Sequence, residues 1–314
     1  MPLNRPSEFL SLDDLLNSTY SEITKYGERV ESKRGSNIEI TQFAATLLNP
    51  RIRTSMSLDR KLVKSKFAEF AWYLSKSDDR DFITPYIRRY NNEEQNGDKI
   101  LGAYGPKIFN SVEGSKSQYE RVIEQIVKRK ATKHAYIAIS DSTEYKFRDQ
   151  EFSSPPCTIG LHFYVRNEKL NLVVYMRSND AYLGLPHDLF CFTMLQELIA
   201  LRTNLALGTY THCATSMHAY EVDVDKIRNY LAEGLQDPIE MPLMVDGSEK
   251  MLELVSLEFD PRTHHSHFQD LDDYWKDFSM FSIKHAKSNS DQISWIANFS
   301  DTNMKLIAKN SITQ

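Results

Sequence analysis

The 314-residue sequence contains only three cysteines, Cys157, Cys191 and Cys213, and it has no Cys-x-x-Cys pair. Three cysteines cannot all pair within one chain, so a disulfide framework and a cysteine-based zinc site are both disfavoured. The first residues also lack the basic and then apolar pattern of a signal peptide. We therefore expect free thiols and a cytoplasmic protein.

An excess of basic charge is missing as well. The sequence has 38 Lys and Arg residues against 43 Asp and Glu residues, a formal net charge of −5. No bulk positive field is therefore present to attract DNA, RNA or an acidic membrane surface. No apolar run approaches the roughly 18 residues of a membrane span. We expect neither a nucleic-acid nor a membrane partner, and any anion site must be local.

Internal repeats, low-complexity tracts and a clear linker are also lacking. Hydrophobic periodicity predicts helices at about 11–27, 62–75, 119–130, 189–201 and 224–233, and strands at 29–53, 135–139, 158–165, 169–176 and 205–220. After about residue 236 the pattern weakens. This organisation favours a single α+β domain over residues 1–314, with a divergent C-terminal region from about 236.

Polar residues concentrate between a predicted strand and an almost wholly apolar helix. The fourteen residues from Tyr175 to Asp188 include an arginine, a serine and two aspartates. Arg177 and Ser178 offer a fork of N–H donors and a hydroxyl, which suits a phosphate, although a structural salt bridge explains the arginine equally well. Asp188 is a good residue to cap the N-terminus of the apolar helix.

Four further residues are candidates for chemistry, and each has a simpler explanation. Cys157 follows two prolines and precedes a strand, where nearby cations would lower the pKa of the thiol; a buried, inert cysteine is the alternative. His218 and Tyr220 share one face of a strand, which a half-exposed face would also explain. Glu69 lies among the apolar positions of a helix, where a carboxylate needs a partner unless it lies at the edge of the face.

A histidine-rich stretch raises the question of a metal site. His264, His265 and His267 lie near Asp270, and the His-x-His pair would share one face of a strand. No cysteine is close, however, and the spacing of the acid matches no standard site. We therefore predict no bound metal.

The order of these motifs resembles the thymidylate synthase superfamily, which includes the pyrimidine-nucleotide hydroxymethylases. The resemblance covers about residues 12–220 and rests on Glu-Phe-Ala-Trp-Tyr-Leu at 69–74, Gly-Ala-Tyr-Gly at 102–105, Pro-Cys at 156–157, Arg-Ser-Asn-Asp at 177–180, Gly-Leu-Pro at 184–186 and His-Ala-Tyr at 218–220. It implies a mixed, twisted β-sheet at the interface of a homodimer, with helices packed on the other face.

The resemblance also implies a role for each matching residue. Cys157 would add to C6 of a pyrimidine nucleotide, while Glu69 and Tyr104 would order water and protons beside the base. The residues that would bind the nucleotide are Arg34, Arg177 and Ser178 at the 5′-phosphate, Asp188 at the base, His218 and Tyr220 at the sugar 3′-hydroxyl, and Asn179. Those that would face the co-substrate, 5,10-methylenetetrahydrofolate, are Asp180, Gly184 and, for stacking, Tyr90 or the neighbouring Tyr86.

The homodimer of this family completes its phosphate site with two basic residues from the partner subunit. These positions correspond here to Lys133 and His134, whereas the synthases have arginines. Lysine keeps the positive charge but loses the bidentate fork of a guanidinium group.

Asp188 is the most informative departure from the synthases, which have an asparagine at this position. An amide can donate to O4 of uracil and accept from its N3–H. Cytosine presents the opposite pattern, an amino donor at C4 and an acceptor at N3, and a carboxylate can accept from that amino group. A mismatch of this kind in a buried site costs several kcal/mol. Asp188 therefore favours a cytidine nucleotide, as in the cytidylate hydroxymethylases of the family.

Other departures concern the fate of the transferred carbon. The synthases carry Gly-Gly-Asp-Thr before the His-x-Tyr motif, where this chain has Ala-Thr-Ser-Met at 214–217, and the sequence lacks their short apolar C-terminal ending. These changes favour capture of an exocyclic methylene by water over hydride transfer from folate.

The sequence thus predicts a cytidylate 5-hydroxymethylase, a folate-dependent one-carbon transferase. CMP is favoured over dCMP because Thr215 and Ser216, near the sugar motif, are polar and the C-terminal region is long. Two alternatives remain: a thymidylate synthase acting on dUMP, and a catalytically silent homologue that binds nucleotides.

Overall fold

The computed structural model describes residues 6–58, 60, 63–92, 99–111, 114–142, 155–247, 270–281 and 296–311. The histidine-rich stretch at 264–267 lies outside these residues. Within them, no helix is both long and apolar enough to cross a membrane, and no group of three or more His, Cys, Asp or Glu side chains is arranged to hold a metal ion.

Seven strands of the described chain form one mixed sheet. They are β1 (Ser7–Phe9), β2 (Glu28–Ser32), β3 (Gly35–Leu47), β4 (Tyr136–Ala138), β5 (Thr158–Arg166), β6 (Lys169–Asp180) and β7 (Ala206–Tyr220). The strand order is β1-β3-β7-β6-β5-β4, and β2 pairs with β3. The pairs β1–β3 and β6–β7 are parallel and the others are antiparallel.

Helices pack on one face of this sheet. They are α1 (Leu12–Tyr26), α2 (Val63–Ser75), α3 (Arg80–Ile83), α4 (Tyr104–Phe109), α5 (Gln118–Lys128), α6 (Gly184–Arg202), α7 (Val224–Glu233), α8 (Asp273–Phe281) and α9 (Thr302–Asn310), with 3₁₀ turns at Arg88–Asn92 and Glu221–Asp223. Every residue of α6 from Leu185 to Ala200 is buried, so this helix is the centre of the core. The α+β fold class predicted from the sequence is confirmed; the homodimer remains a prediction.

The hairpin predicted at residues 158–176 is confirmed, with its turn where the sequence placed it. Arg166 pairs with Lys169, and the two residues between them, Asn167 and Glu168, have φ values of 52° and 57°. Two consecutive left-handed residues are typical of the tight turns whose twist matches that of the flanking strands. Strand β6 then continues to Asp180, so the Arg-Ser-Asn-Asp motif lies on the strand itself.

The single strand predicted at 29–53 is wrong. Ser32 pairs with Gly35, so the chain reverses at Lys33 and Arg34 and forms two antiparallel strands, β2 and β3. Gly35 has a φ of 117°, a conformation that a residue with a Cβ adopts rarely. Arg34 therefore lies at the tip of a hairpin.

The cap predicted for Asp188 is also wrong, because α6 begins four residues earlier, at Gly184. Pro186 is tolerated in the first turn, where its missing N–H is one of the helix donors without an intrahelical partner. Asp188 consequently lies inside the helix. The turn before α6 is instead held by Asp180, whose Oδ1 accepts from the backbone N–H groups of Tyr182 at 2.9 Å and Leu183 at 3.1 Å.

Part of the C-terminal region is attached to the core by aromatic packing. The ring of Phe67 in α2 lies 5.0 Å from Phe278 and 4.0 Å from Phe281, both in α8, between ring centroids. Such pairs stabilise by about 0.5–1.5 kcal/mol beyond the area that they bury. That residues 1–314 form a single domain stays a prediction.

Candidate active site

The topology brings the ends of two parallel strands and the start of the central helix to one edge of the sheet. Asp180 at the end of β6 is in register with His218 near the end of β7, and α6 begins four residues after Asp180. Ligands commonly bind at such edges, because side chains and a helix N-terminus converge there.

A cavity of about 360 Å³ lies at this edge. The predicted site residues that line it are Arg34, Glu69, Tyr90, Tyr104, Cys157, Asn179, Asp180, Gly184 and Asp188. The cavity is also lined by aromatic and apolar side chains, among them Trp72, Tyr86, Ile87 and Leu183. The indole Nε1 of Trp72 is buried and has no hydrogen-bond partner within the described part of the chain. The flat aromatic and apolar surface fits a heteroaromatic ligand such as a pteridine or a nucleobase.

Cys157 lies at the start of β5 beside an arginine. The Nη2 atom of Arg177 is 3.6 Å from Sγ of Cys157. The same guanidinium group donates to the carbonyl oxygens of Pro156 at 3.1 Å and Pro155 at 3.0 Å, and these bonds fix it against the thiol. Among the described residues Arg177 forms no salt bridge with a carboxylate, so the structural explanation left open by the sequence is not supported.

Charge around Cys157 decides how readily its thiol ionises. Burial raises the pKa of the thiol, whereas the positive charge of Arg177 lowers it. Arg34 and Arg89 also lower this pKa, and the Asp188 carboxylate raises it. Together these effects leave the pKa of the thiol above its usual value, so neutralising the Asp188 carboxylate or bringing a cation closer would favour the thiolate.

Two carboxyl groups face the same cavity. Burial raises the pKa of Glu69 to about 8, with a further contribution from the negative charge of Asp188, while hydrogen bonds from the hydroxyls of Tyr90 and Tyr73 lower it. Glu69 is 6% exposed, so it lies on the buried face of α2 and not at its edge. Burial raises the pKa of Asp188 to about 7. Carboxyl groups with pKa values near neutrality are suited to acid–base work.

Asp188 is oriented by a chain of buried hydrogen bonds. The amide Nδ2 of Asn179 donates to Oδ2 of Asp188 at 2.7 Å. The amide Oδ1 then accepts from Nε2 of His212 at 3.1 Å, which leaves Nδ1 of His212 to accept from the hydroxyl of Tyr210 at 2.8 Å. All the bonds therefore point toward Asp188. Gly184 permits this approach, since a Cβ there would lie 2.9 Å from Nδ2 of Asn179.

His212 and Tyr210 were missed by the sequence analysis as members of the site. Their spacing of two residues on a strand does indicate a shared face. Burial lowers the pKa of His212 to about 3, so its ring stays neutral and keeps the tautomer that the chain of hydrogen bonds requires. Only the fold showed that this face points at Asn179.

Tyr104 lies between Cys157 and the core. Its hydroxyl accepts from the backbone N–H of Thr158 at 3.3 Å and from the Thr158 hydroxyl at 3.0 Å. Burial raises the pKa of Tyr104 well above its usual value, so the phenol keeps its proton. The proton of this hydroxyl can then be donated into the cavity next to Cys157.

Arg89 is a second residue that the sequence analysis did not single out. Its Nη1 donates to Oδ2 of Asp180 at 3.1 Å, and its guanidinium group lies 5.9 Å from the ring centre of Tyr220. Both oxygens of Asp180 are therefore engaged within the protein. A direct contact of Asp180 with folate stays a prediction.

The predicted sugar and phosphate residues extend the site along β6 and β7. Oγ of Ser178 lies 3.4 Å from Nδ1 of His218, and the rings of His218 and Tyr220 are 5.1 Å apart. His218 is buried, at 8% exposure, which does not fit a half-exposed strand face. Ser178, His218 and Tyr220 do not line the cavity itself, whereas the predicted phosphate residue Arg34 does. Tyr220 lies beside Arg89, which also lines the cavity.

Lys133 and His134 do not line the cavity of their own chain. Both are exposed in the connection between α5 and β4. The backbone carbonyl of Lys133 lies 3.2 Å from Nε2 of His162. A role at the phosphate site of a partner subunit stays a prediction.

Comparison with known proteins places this architecture among the thymidylate synthases. The structure of thermostable thymidylate synthase A from Bacillus subtilis superposes with a TM-score of 0.60, covering 76% of this chain and 90% of that one at 21% identity. At this identity the likeness shows the fold alone. The thymidylate synthase family model matches residues 16–269, and the chain therefore belongs to the thymidylate synthase family.

Curated relatives include two kinds of enzyme. A deoxyuridylate hydroxymethyltransferase of Delftia phage PhiW-14 is 28% identical over 216 residues, which are 65% of this chain and 59% of the relative. A thymidylate synthase of Symbiobacterium thermophilum is 28% identical over 185 residues, 56% of this chain and 64% of the relative. A putative thymidylate synthase of Methanocaldococcus jannaschii is 34% identical over 122 residues, 38% of this chain and 55% of the relative. The chain thus spans less than two thirds of the length of each.

Proposed function

We propose that this protein hydroxymethylates C5 of a cytidine 5′-monophosphate, with 5,10-methylenetetrahydrofolate as the one-carbon donor. The observation that carries the proposal is the orientation of Asp188. Because Asn179 donates to Oδ2, the base meets Oδ1, a carboxylate oxygen that can only accept unless it is protonated. It suits the amino group of cytosine and opposes O4 of uracil.

In the proposed mechanism Cys157 is the nucleophile. Its thiolate bonds to C6 of the base, and the displaced electron pair makes C5 nucleophilic toward the one-carbon unit. After C5 loses its proton and the folate amine departs, C5 carries an exocyclic methylene. A water oxygen bonds to that methylene, its proton passes to the ionised form of Glu69, and the C6–S electron pair returns to Cys157.

We further propose ribose as the sugar. The carboxylate of Glu39 accepts a hydrogen bond from the hydroxyl of Ser216, and Glu39 is directly opposite His218 in the β3–β7 pairing. A carboxylate at this position is suited to accept from a 2′-hydroxyl while His218 holds the 3′-hydroxyl. Glu39→Gln should reduce the preference for CMP over dCMP; an unchanged preference would remove this argument.

A homodimer is proposed from the opposite face of the sheet. Three large apolar residues on neighbouring strands are exposed there in the single chain: Tyr136, Ile159 and Tyr175 are 58%, 49% and 46% exposed. A second copy would cover them and bring Lys133 and His134 toward the partner's phosphate site. Light scattering should give twice the chain mass, and Tyr175→Glu should shift the protein to monomers.

The direct test supplies methylenetetrahydrofolate with CMP, dCMP, UMP or dUMP and weighs the products. We expect a 5-hydroxymethyl cytidylate and no dihydrofolate. Cys157→Ala should abolish release of a C5 tritium label, because the covalent step activates C5. A methylated uridylate with formation of dihydrofolate would show a thymidylate synthase, and binding of nucleotide without release would show a silent homologue.

A deoxyuridylate is the second candidate substrate, because a phage relative is a deoxyuridylate hydroxymethyltransferase. The same assay separates the two bases. A 5-hydroxymethyl product from dUMP alone would keep the reaction type and overturn the role of Asp188.

A further inference from the structure

Ser65 and His187 form a hydrogen-bonded pair in the wall of the cavity that the proposed mechanism does not yet use. Oγ of Ser65 lies 2.8 Å from Nε2 of His187, and both residues line the cavity. Ser65 belongs to α2 and precedes Glu69 by one helical turn, so the two side chains lie on the same face. His187 immediately precedes Asp188 on α6. Each member of the pair thus belongs to the same helix as one of the two carboxyl groups, and all four residues line the cavity.

The direction of the hydrogen bonds in this pair is fixed by the backbone. Nδ1 of His187 lies 2.7 Å from the carbonyl oxygen of Leu183, and because a carbonyl can only accept, Nδ1 carries the hydrogen. Burial lowers the pKa of His187 to about 3, so the ring is neutral and Nε2 can only accept. The Ser65 hydroxyl must then donate to Nε2.

Because the Ser65 hydroxyl donates its hydrogen to His187, its oxygen can only accept a hydrogen bond from any further group. A water beside it would have to donate a hydrogen to Oγ of Ser65. The same water can donate its second hydrogen to Glu69, one turn along α2, when the carboxyl group of Glu69 is ionised. A water that donates both hydrogens directs its oxygen lone pairs away from these two residues, toward the interior of the cavity.

We propose that Ser65 and His187 position the water that attacks the exocyclic methylene, and so help to direct the reaction to a hydroxymethyl product. This inference rests on the proposed function. His187 acts through Ser65 and is a positioning residue. The imidazole ring of His187 need not be charged, because the pair only orients the attacking water and Glu69 takes its proton. A misplaced water would slow attack by about tenfold to a hundredfold while leaving the earlier steps intact.

A matched pair of variants tests the role of the hydroxyl. Ser65→Thr keeps it, whereas Ser65→Val has nearly the same shape as threonine without it. His187→Phe removes the Nε2 acceptor from the other side. Ser75→Ala is the control on the same helix: its hydroxyl donates to the carbonyl of Trp72 at 2.7 Å, and Ser75 does not line the cavity.

The assay separates the early and late steps of one turnover. Release of tritium from C5 of CMP or dCMP reports the steps before water attack, and mass spectrometry reports the hydroxymethyl product. 2-Mercaptoethanol is added as a trap: its sulfur bonds to the exocyclic methylene as the C6–S bond to Cys157 breaks, giving a C5 thioether. The yield of thioether rises when the exocyclic methylene accumulates because water attack is slow. A general loss of folding would not raise it.

For Ser65→Val and His187→Phe we expect tritium release near the wild-type rate, hydroxymethyl formation slower by about tenfold or more, and a rise in thioether. Ser65→Thr and Ser75→Ala should resemble the wild type. Equal loss of tritium release and product in Ser65→Val, or no change in either, would overturn the inference while leaving the proposed function intact. A wild-type protein that releases tritium without forming hydroxymethyl nucleotide would contradict the proposed function and the inference with it.

Discussion

Asn179 donates from Nδ2 to Oδ2 of Asp188 at 2.7 Å. This bond connects the end of strand β6 to the second turn of helix α6, and it makes the two carboxylate oxygens of Asp188 inequivalent. Oδ2 is held by the protein, and Oδ1 makes no hydrogen bond to another described residue, so it is left for a ligand. Gly184 is required for the approach because any Cβ would press on Nδ2 of Asn179.

The first prediction concerns the base. Asp188→Asn replaces an acceptor with an amide that can both donate and accept, so preference should move from cytidylate to uridylate. We expect the ratio of kcat/KM values for the two bases to change by about a hundredfold or more, since a buried mismatch costs several kcal/mol. Product analysis with CMP, dCMP, UMP and dUMP measures it. An unchanged ratio would show that Asp188 does not contact the base.

The second prediction concerns the chain of hydrogen bonds behind Asp188. The bond from Asn179 lowers the pKa of Asp188, so Asn179→Ala should raise that pKa above about 7 and reduce the ionised fraction at neutral pH. The acidic limb of kcat/KM against pH should therefore move to higher pH for the cytidylate substrate. His212→Phe should move it in the same direction but less. A profile with lower activity but the same midpoint would indicate a merely structural role.

The third prediction concerns the thiol and needs no substrate. Arg177 lowers the pKa of Cys157, so Arg177→Gln should raise it and slow alkylation of Cys157 by iodoacetamide at pH 7. Peptide mass spectrometry distinguishes Cys157 from Cys213, which is also partly exposed. Arg166→Gln is the matched control, because Arg166 donates to its neighbouring carbonyl at Val165 and does not line the cavity. Equal alkylation rates in the two variants would contradict the prediction.

The fourth prediction concerns stability against pH. The pKa of Glu69 in the folded protein is about 8, above its usual value, so the native state binds a proton that the unfolded chain releases. The stabilisation is complete at acid pH and is lost as the pH rises toward 8. Between the pKa of Glu69 in the unfolded chain and its value of about 8 in the folded protein, the free energy of unfolding should fall by about 1.4 kcal/mol per pH unit for this one proton.

Urea unfolding of the wild type and Glu69→Gln between pH 5 and 8.5 measures this contribution. The variant cannot ionise, so its stability should fall less steeply. Glu22→Gln on α1 is the control, since Glu22 is exposed. Parallel curves for wild type and Glu69→Gln would show that Glu69 titrates normally. Asp188 has a raised pKa as well, so some slope should remain in Glu69→Gln.

Local patterns predicted several elements well, because the forces that form them act between near neighbours. The alternation along residues 158–176 and the polar turn at 166–168 predicted the β5–β6 hairpin, and the almost wholly apolar run after Asp188 predicted a buried helix. The start of that helix was misjudged. A proline in the first turn extends the helix before the apolar run, and Asp180 holds the turn where a cap was expected at Asp188.

The sequence by itself determined the α+β class, the central helix and the residue types of the candidate site, since hydrophobic periodicity and motif order lie within short stretches. Only the tertiary structure decided which side chains meet. Asn179 reaches Asp188, Arg89 pairs with Asp180, and Ser65 bonds to His187 across 122 positions of the chain. Hydrogen-bond direction depends on the distance and angle between groups that only the packed fold brings together, and sequence spacing does not contain that information.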